Sequence, residues 1–296
     1  MTGPRIGAGS RLGGRILALL LLASRLEAGP PAATQAPDLA QVGVPDQAQG
    51  RAIIERLRES GPAQAYYAEF ELRQLPRRGQ ETTFQGRMWA GRNQEGNILR
   101  IELDPGGAGE RRFLILGGES AAVWFFDPNE IAARPRKVGP LTPLVPGIET
   151  TPFDVQMPFL YWKDESLLSI ARAPGLQRPA YVFLFRPPVD FEAAAPGIGG
   201  VRAYIDTQYN APVQTETIGS NGRILKTMTL VDLKKVQGQE MAKEIDVRND
   251  ATRDKTRFEL TAAAMGVALA PSIFEPDQLA GPAGVPAPGR IERFAP

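Results

Sequence analysis

The chain has 296 residues, 43% of them hydrophobic and 23% charged, with a formal charge of +1. That is the make-up of a globular protein, without the basic surplus that nucleic-acid binding uses or the acidic surplus of a solvating tail. It has no Cys and no His, which excludes thiolate chemistry, a Cys- or His-bound zinc, an imidazole base and a Ser-His-Asp triad.

Residues 1–28 read as a secretory signal peptide. Arg5, Arg11 and Arg15 precede the apolar run "ILALLLLA" (Ile16 to Ala23), and a cleavage site falls near Ala28. The run is too short to cross a bilayer, and an uncleaved N-terminal helix is the alternative. Residues 1–28 carry four Arg and one Glu, so their removal shifts the formal charge from +1 to −2. Residues 29–50 are rich in Pro, Ala and Gln and read as a flexible lead-in. A short amphipathic helix follows in "GRAIIERLRESG", with Ile53, Ile54 and Leu57 on one face and Gly61-Pro62 as its stop.

From Tyr66 the period changes to two. Ala68, Phe70 and Leu72 alternate with Glu69, Glu71 and Arg73. Phe84, Gly86 and Met88 alternate with Thr83, Gln85 and Arg87, and Leu99, Ile101 and Leu103 with Arg100 and Glu102. "RRFLILG" and "AAVWFFDP" are apolar on both faces. Short turns join these segments, so they predict an antiparallel meander. Residues 128–163 break the rhythm with repeated prolines, at a length that favours a functional loop. It ends in "TPFDVQMPFLYW", where apolar residues alternate from Phe153 to Tyr161 although Pro158 forbids a central strand. "DESLLSIARAPG" then reads as a short helix with Asp164 and Glu165 in its first turn. Strands resume at Ala180 and run to about Ala263, with Asn221-Gly222 as a hairpin turn. The alternating charges of "RNDATRDKTRFE" fit a solvated hairpin edge. Residues 280–296, rich in Gly, Pro and Ala, read as a disordered tail. Residues 51–279 therefore form one mainly β domain of about ten to eleven antiparallel strands.

The helices are too few to cover such a sheet. It must pair with itself as a sandwich or curl over its own interior. A curled sheet with an aromatic, Pro-rich insertion across its mouth would leave an apolar cavity. Candidate cavity-lining residues are Phe70, Leu72, Met88, Leu99, Ile101, Trp124, Phe126 and Phe183. The candidate lid is Phe153, Val155, Met157, Phe159, Tyr161 and Trp162, with Asp154 as a local cap acceptor. At each of these positions the core of an ordinary sandwich is the competing reading. No catalytic or metal-binding residue stands out, and "PGIGGV" (Pro196 to Val201) lacks the spacing of a dinucleotide-binding turn.

From Tyr66 to Leu279 the chain resembles bacterial outer-membrane lipoprotein-sorting proteins with the LolA-like fold. The resemblance is carried by "YYAEFELR", "VWFFDP", "TTPFDVQMPFLYW", the run from Tyr204 to Gln239, "EIDVRNDATRDKTRFEL" and "IFEPDQL", in that order. The chain departs from the family pattern at the central segment, where Asp154 follows an aromatic residue. The resemblance implies an incomplete, half β-barrel with short helices and a Pro-rich loop over its concave face. It implies a monomeric periplasmic carrier of lipoprotein acyl chains or another lipid, not an enzyme. It needs no cofactor and binds no nucleic acid. An inner-membrane transporter and an outer-membrane receptor would be its partners. A periplasmic sensor or interaction module on the same fold is the alternative. A closed, side-chain-filled interior would count against carriage.

Overall fold

The computed structural model describes residues 21–22, 45–59, 64–93, 96–104, 106–118, 121–173 and 179–294; of Glu192 only the backbone is described. The segment expected as a signal peptide lies outside these residues except for Leu21-Leu22, which run antiparallel to Glu240-Met241. Helix α1 (Gln47–Glu59) starts slightly before the predicted helix, at an Asp46 carboxylate that accepts from the Ala48 and Gln49 N–H groups.

The first six strands are β1 (Tyr66–Leu75), β2 (Thr82–Arg92), β3 (Asn97–Leu103), β4 (Arg111–Leu116), β5 (Ala122–Phe126) and β6 (Arg136–Val138). After a long loop come β7 (Asp164–Arg172), β8 (Pro179–Arg186), helix α3 (Val189–Ala194), β9 (Ile198–Asp206), β10 (Pro212–Gly219), β11 (Ile224–Val236), β12 (Gln239–Asn249) and β13 (Lys255–Met265). They make one antiparallel sheet in the order β6-β5-β4-β3-β2-β1-β13-β12-β11-β10-β9-β8-β7, and a short β14 (Glu292–Arg293) pairs with β13. The sheet is open: β6 and β7 are its two ends. This is the mainly β, incomplete barrel that the resemblance implies, with thirteen strands in line instead of ten or eleven.

This topology explains the long loop. The first half of the chain walks outward from β1 to the edge at β6, and the second half walks inward from the edge at β7 to β13, which closes on β1. The connection from 139 to 163 must therefore carry the chain from one edge of the curled sheet to the other, across its mouth.

The extra strands have a physical cause. β7 replaces the short helix that the apolar Leu167, Leu168, Ile170 and Ala171 suggest. A register shift between Leu167 and Ser169 interrupts the period of two and turns Leu167 into the core while Leu168 stays exposed. The helical spacing of "DESLLSIAR" is thus a bulged edge strand. It is capped by Gln47, whose side-chain amide donates to the Leu167 carbonyl (2.9 Å) and accepts from its N–H (3.0 Å), as a neighbouring strand would.

Alternation sorts the remaining residues. Phe70, Leu72, Met88, Leu99, Ile101, Phe113, Phe125, Phe183, Met228, Ile245 and Phe258 face the concave side and form one core with α1 and the loop. The Phe70 ring lies on Gly86, where a Cβ would come within 2.3 Å of it, so this cross-strand pair admits only glycine.

The convex side also carries a cover. Residues 271–294, whose later part was expected as a disordered tail, run across β1–β4 and β13. Trp89 Nε1 donates to the Gly284 carbonyl (2.8 Å), Phe274 lies over Gly91, and Arg293 pairs with Glu69 (2.8 Å). Gly and Pro here give a backbone that bends closely over a sheet rather than one without a place.

Candidate functional site: a lidded chamber beside an open seam

The loop across the mouth is ordered by its own sequence. Pro152 occupies the first turn of helix α2 (Pro152–Gln156), where its missing N–H costs nothing. Thr151 is the N-cap, and Asp154 reaches back to accept from the Thr151 N–H and Oγ1, both at 2.8 Å. Met157 takes a left-handed conformation (φ 48°) that ends α2, and Pro158 opens a 3-10 turn through Tyr161. The alternation from Phe153 to Tyr161 is therefore not a strand. It is a short helix and a tighter turn joined at Met157. Asp154 is the cap acceptor that the sequence predicts.

This segment plugs the sheet. Phe153, Met157, Phe159, Leu160 and Trp162 are buried in the concave core, with Val155 and Tyr161 half-buried against it. Phe153, Phe159, Trp162, Phe185 and Phe191 pack ring on ring, with centroids 4.9–6.4 Å apart. Polar contacts pin the segment along its length. Lys226 Nζ donates to Asp154 Oδ2 (2.8 Å) and to the Glu149 carbonyl (2.6 Å). Gln156 donates to the Leu116 carbonyl. Arg58 of α1 donates to the carbonyls of Leu160 (2.5 Å) and Trp162 (3.3 Å).

Two spaces remain. Under the lid lies a chamber of ≈ 40 Å³ walled by Phe70, Leu72, Met88, Ile101, Leu144, Val155, Met228, Ile245, Val247 and Phe258, with Thr150 and Asp154 at one corner. One liquid water takes up about 30 Å³, so at rest the interior is filled by side chains. Beside the lid, between the free edges at β6 and β7, runs an open groove of ≈ 760 Å³. Tyr161, Trp162 and Phe191 give it an aromatic wall, and Lys137, Lys163, Arg186, Asp164 and Asp190 line it as well. Among the described residues no group of His, Cys, Asp or Glu is placed to hold a metal ion, and no helix is long and apolar enough to cross a membrane.

Of the eight cavity-lining residues predicted, Phe70, Leu72, Met88 and Ile101 form the chamber wall, while Leu99 and Phe183 lie in the same core away from it. Trp124 and Phe126 are corrections. Both point to the convex side, where they pack with Leu114 and Leu279. Lys137 lies over Trp124 and Arg112 over Phe126. "AVWFF" is apolar on both faces, so its alternation could not assign a side. The register pairs Phe125 with Phe113 and Trp124 with Leu114, which settles it. The candidate lid residues Phe153, Val155, Met157, Phe159, Tyr161 and Trp162 lie together over the concave core, with Val155 alone among them on the chamber wall. Sequence reasoning missed Leu144, Thr150, Met228, Ile245, Val247 and Phe258. Four of these sit at alternating positions of β11–β13, whose pattern carried the signal.

A family model described as an uncharacterized protein matches residues 193–280. No curated protein matches the sequence. Three solved structures are similar in fold. A putative outer membrane lipoprotein-sorting protein domain from Vibrio parahaemolyticus is 16% identical, with 79% of this chain and 96% of that one covered and a TM-score of 0.65. A DUF1329 family protein from Desulfovibrio piger is 13% identical, with coverage of 79% and 98% and a TM-score of 0.66. A LolA superfamily protein from Nitrosomonas europaea is 16% identical, with coverage of 72% and 91% and a TM-score of 0.56. The chain has a LolA-like fold.

Proposed function

We propose that the protein is a periplasmic carrier that holds an acyl chain, of a lipoprotein or another lipid, on the concave face of its sheet after the lid has moved aside. The observation that carries this reading is what fills the interior. The plug is not supplied by the sheet alone but by a separate segment, residues 151–162, that ends beside an open groove of ligand size. An apolar chain that replaces Phe153, Met157 and Phe159 against Phe70, Met88 and Phe258 meets the same kind of surface. Each buried CH₂ contributes about 0.8 kcal/mol, so even a partial exchange offsets the loss of lid packing. The nearly filled chamber counts heavily against carriage in this conformation, so the reading requires residues 151–162 to move aside before an acyl chain enters.

The fold neighbours include a domain named for lipoprotein sorting, which supports binding over catalysis and a site of action between the two membranes. Mass spectrometry of organic extracts from gently purified protein, alongside titration with a fluorescent acyl probe, tests the reading. Co-purified lipid or saturable probe binding is the expected result. The absence of both, in the wild type and in Asp154→Ala with its weakened lid, sinks it.

A further inference from the structure

The chamber wall is apolar except at one corner, where Thr150 and Asp154 reach it. Thr150 is 5% exposed, and its Oγ1 has no hydrogen-bond partner among the described residues. A buried hydroxyl without a partner is a cost that native proteins seldom leave standing without a use. Beside it, Lys226 Nζ donates to two acceptors that are held in different ways. Glu149 is tied to the sheet: its N–H donates to Thr256 Oγ1 (2.8 Å), and its carboxylate accepts from Asn249 Nδ2 (3.2 Å). Asp154 belongs to α2, on the far side of the N-cap. If α2 lifts, Lys226 keeps the Glu149 carbonyl and loses only its anion. That would leave an ammonium, 17% exposed in the closed state, without the carboxylate that it now bonds.

We propose that Lys226 and Thr150 form a carboxylate subsite, and that the ligand they select is an acyl chain with a free carboxylate, a fatty acid, in preference to an esterified chain. The inference rests on the acyl-carrier reading above and names the head of the ligand. One carboxylate oxygen takes the place of Asp154 Oδ2 at Lys226, and the other accepts from Thr150 Oγ1. The chain then runs along Met228, Phe258 and Phe70, which share the chamber with this corner. Asp154 is the internal competitor: lid closed, its carboxylate neutralises Lys226; lid open, the ligand's does. An ester can accept a hydrogen bond but brings no charge.

Calorimetric titration of the purified protein with palmitate, methyl palmitate and hexadecanol decides this. Palmitate binds about tenfold or more tightly than its methyl ester, the effect of one hydrogen bond between ions. In Lys226→Met the ratio of the two affinities falls to near one, and in Thr150→Val it falls part of the way. Asp154→Asn, which removes the competing anion, raises palmitate affinity more than ester affinity, and it serves if Lys226→Met does not fold. Equal binding of acid and ester by the wild type overturns the subsite but leaves the acyl-carrier reading in place. So does a preference that survives Lys226→Met, or an Asp154→Asn protein with no gain for the acid. Failure of all three ligands to bind overturns the subsite, and overturns the acyl-carrier reading too when co-purified lipid and acyl-probe binding are also absent.

Discussion

The two faces of the sheet are covered in opposite ways. On the concave side, residues 151–162 cover it with aromatic and Met side chains, pinned by Arg58, Gln156 and the buried Lys226–Asp154 pair. On the convex side, residues 271–294 cover it with backbone. Arg100, fully buried, donates to the carbonyls of Ile273 (3.4 Å), Gln278 (3.1 Å), Leu279 (3.4 Å) and Gly281, and it pairs with Glu102 (2.8 Å). Arg112 donates to the carbonyls of Leu279 (3.3 Å), Ala280 (2.6 Å) and Gly281 (3.0 Å). Apolar packing can be exchanged for another apolar surface at little net change. A buried guanidinium bonded to backbone carbonyls cannot, because departure of the strap would strand both the charge and the carbonyls. The concave cover rests chiefly on apolar packing, and the convex cover on buried guanidinium groups as well.

Breaking the convex cover has the largest expected effect. Burial pulls the pKa of Arg100 down, and Glu102 pushes it back up, so the guanidinium depends on its partners to remain a favourable charge. Arg100→Met removes that charge and strands the buried Glu102 carboxylate, while the Leu279 and Gly281 carbonyls keep Arg112, at a cost of about 3–5 kcal/mol. Urea unfolding measures the loss, and limited proteolysis places the first cut within 271–294. A loss below about 1 kcal/mol, in the range of an exposed ion pair, would mean that the strap is held by its side chains alone, and the contrast between the faces would fail.

A smaller and more local effect is expected at the lid. Asp154→Ala removes the acceptor for the Thr151 N–H and Oγ1 and the anion for Lys226. Global stability falls by about 1–2 kcal/mol, as for a lost cap. Amide exchange should rise chiefly across 151–162, while the strands beneath stay protected to the extent of the global change. Exchange that rises equally over the lid and β1–β3 would show that lid and sheet open as one unit, against a replaceable cover.

The sequence made the sheet legible wherever one face is apolar and the other polar. Phe70, Leu72, Met88 and Ile101 fall on the concave face because Glu69, Glu71, Arg87 and Arg100 alternate with them. It failed where that contrast is missing or the period is broken. Trp124 and Phe126 lie in a run apolar on both sides. "DESLLSIAR" hides a strand behind a bulge, and the lid imitates a strand because a helix and a 3-10 turn meet at Met157. The convex strap was illegible for a different reason. Its hold on the sheet combines backbone carbonyls, which every residue carries, with side chains such as Phe274 and Leu279, and only residues 280–289 are dominated by Gly, Pro and Ala. The signal lay instead on the sheet, in Arg100 and Arg112 at positions that alternate out of the core.

Where the strap ends, the convex face is held by charges in place of a cover, and this is the third and smallest contrast. Asp246 on β12 accepts from Arg257 Nε (2.7 Å) and Lys255 Nζ (2.9 Å), and Arg257 also pairs with Glu244 (3.1 Å). Burial alone would push the Asp246 carboxyl up, but the hydrogen bonds and charges of Arg257 and Lys255 outweigh it and hold the group below its ordinary value. A carboxylate depressed in the folded state contributes stability that is present above the unfolded value and is lost as pH falls through the folded one. Asp246→Asn should therefore lower stability at neutral pH by about 0.5–1 kcal/mol, as for a partly exposed ion-pair network. The difference from the wild type should shrink below about pH 4 as the native carboxyl takes up its proton. Thermal melts of both proteins from neutral to acid pH make the comparison. A gap that persists unchanged into acid would trace the loss to side-chain packing and not to charge. Because Asp246 touches neither cover, the same variant should leave exchange across 151–162 and protection of 271–294 as they are in the wild type. A charge ladder coupled to either cover would show itself there first.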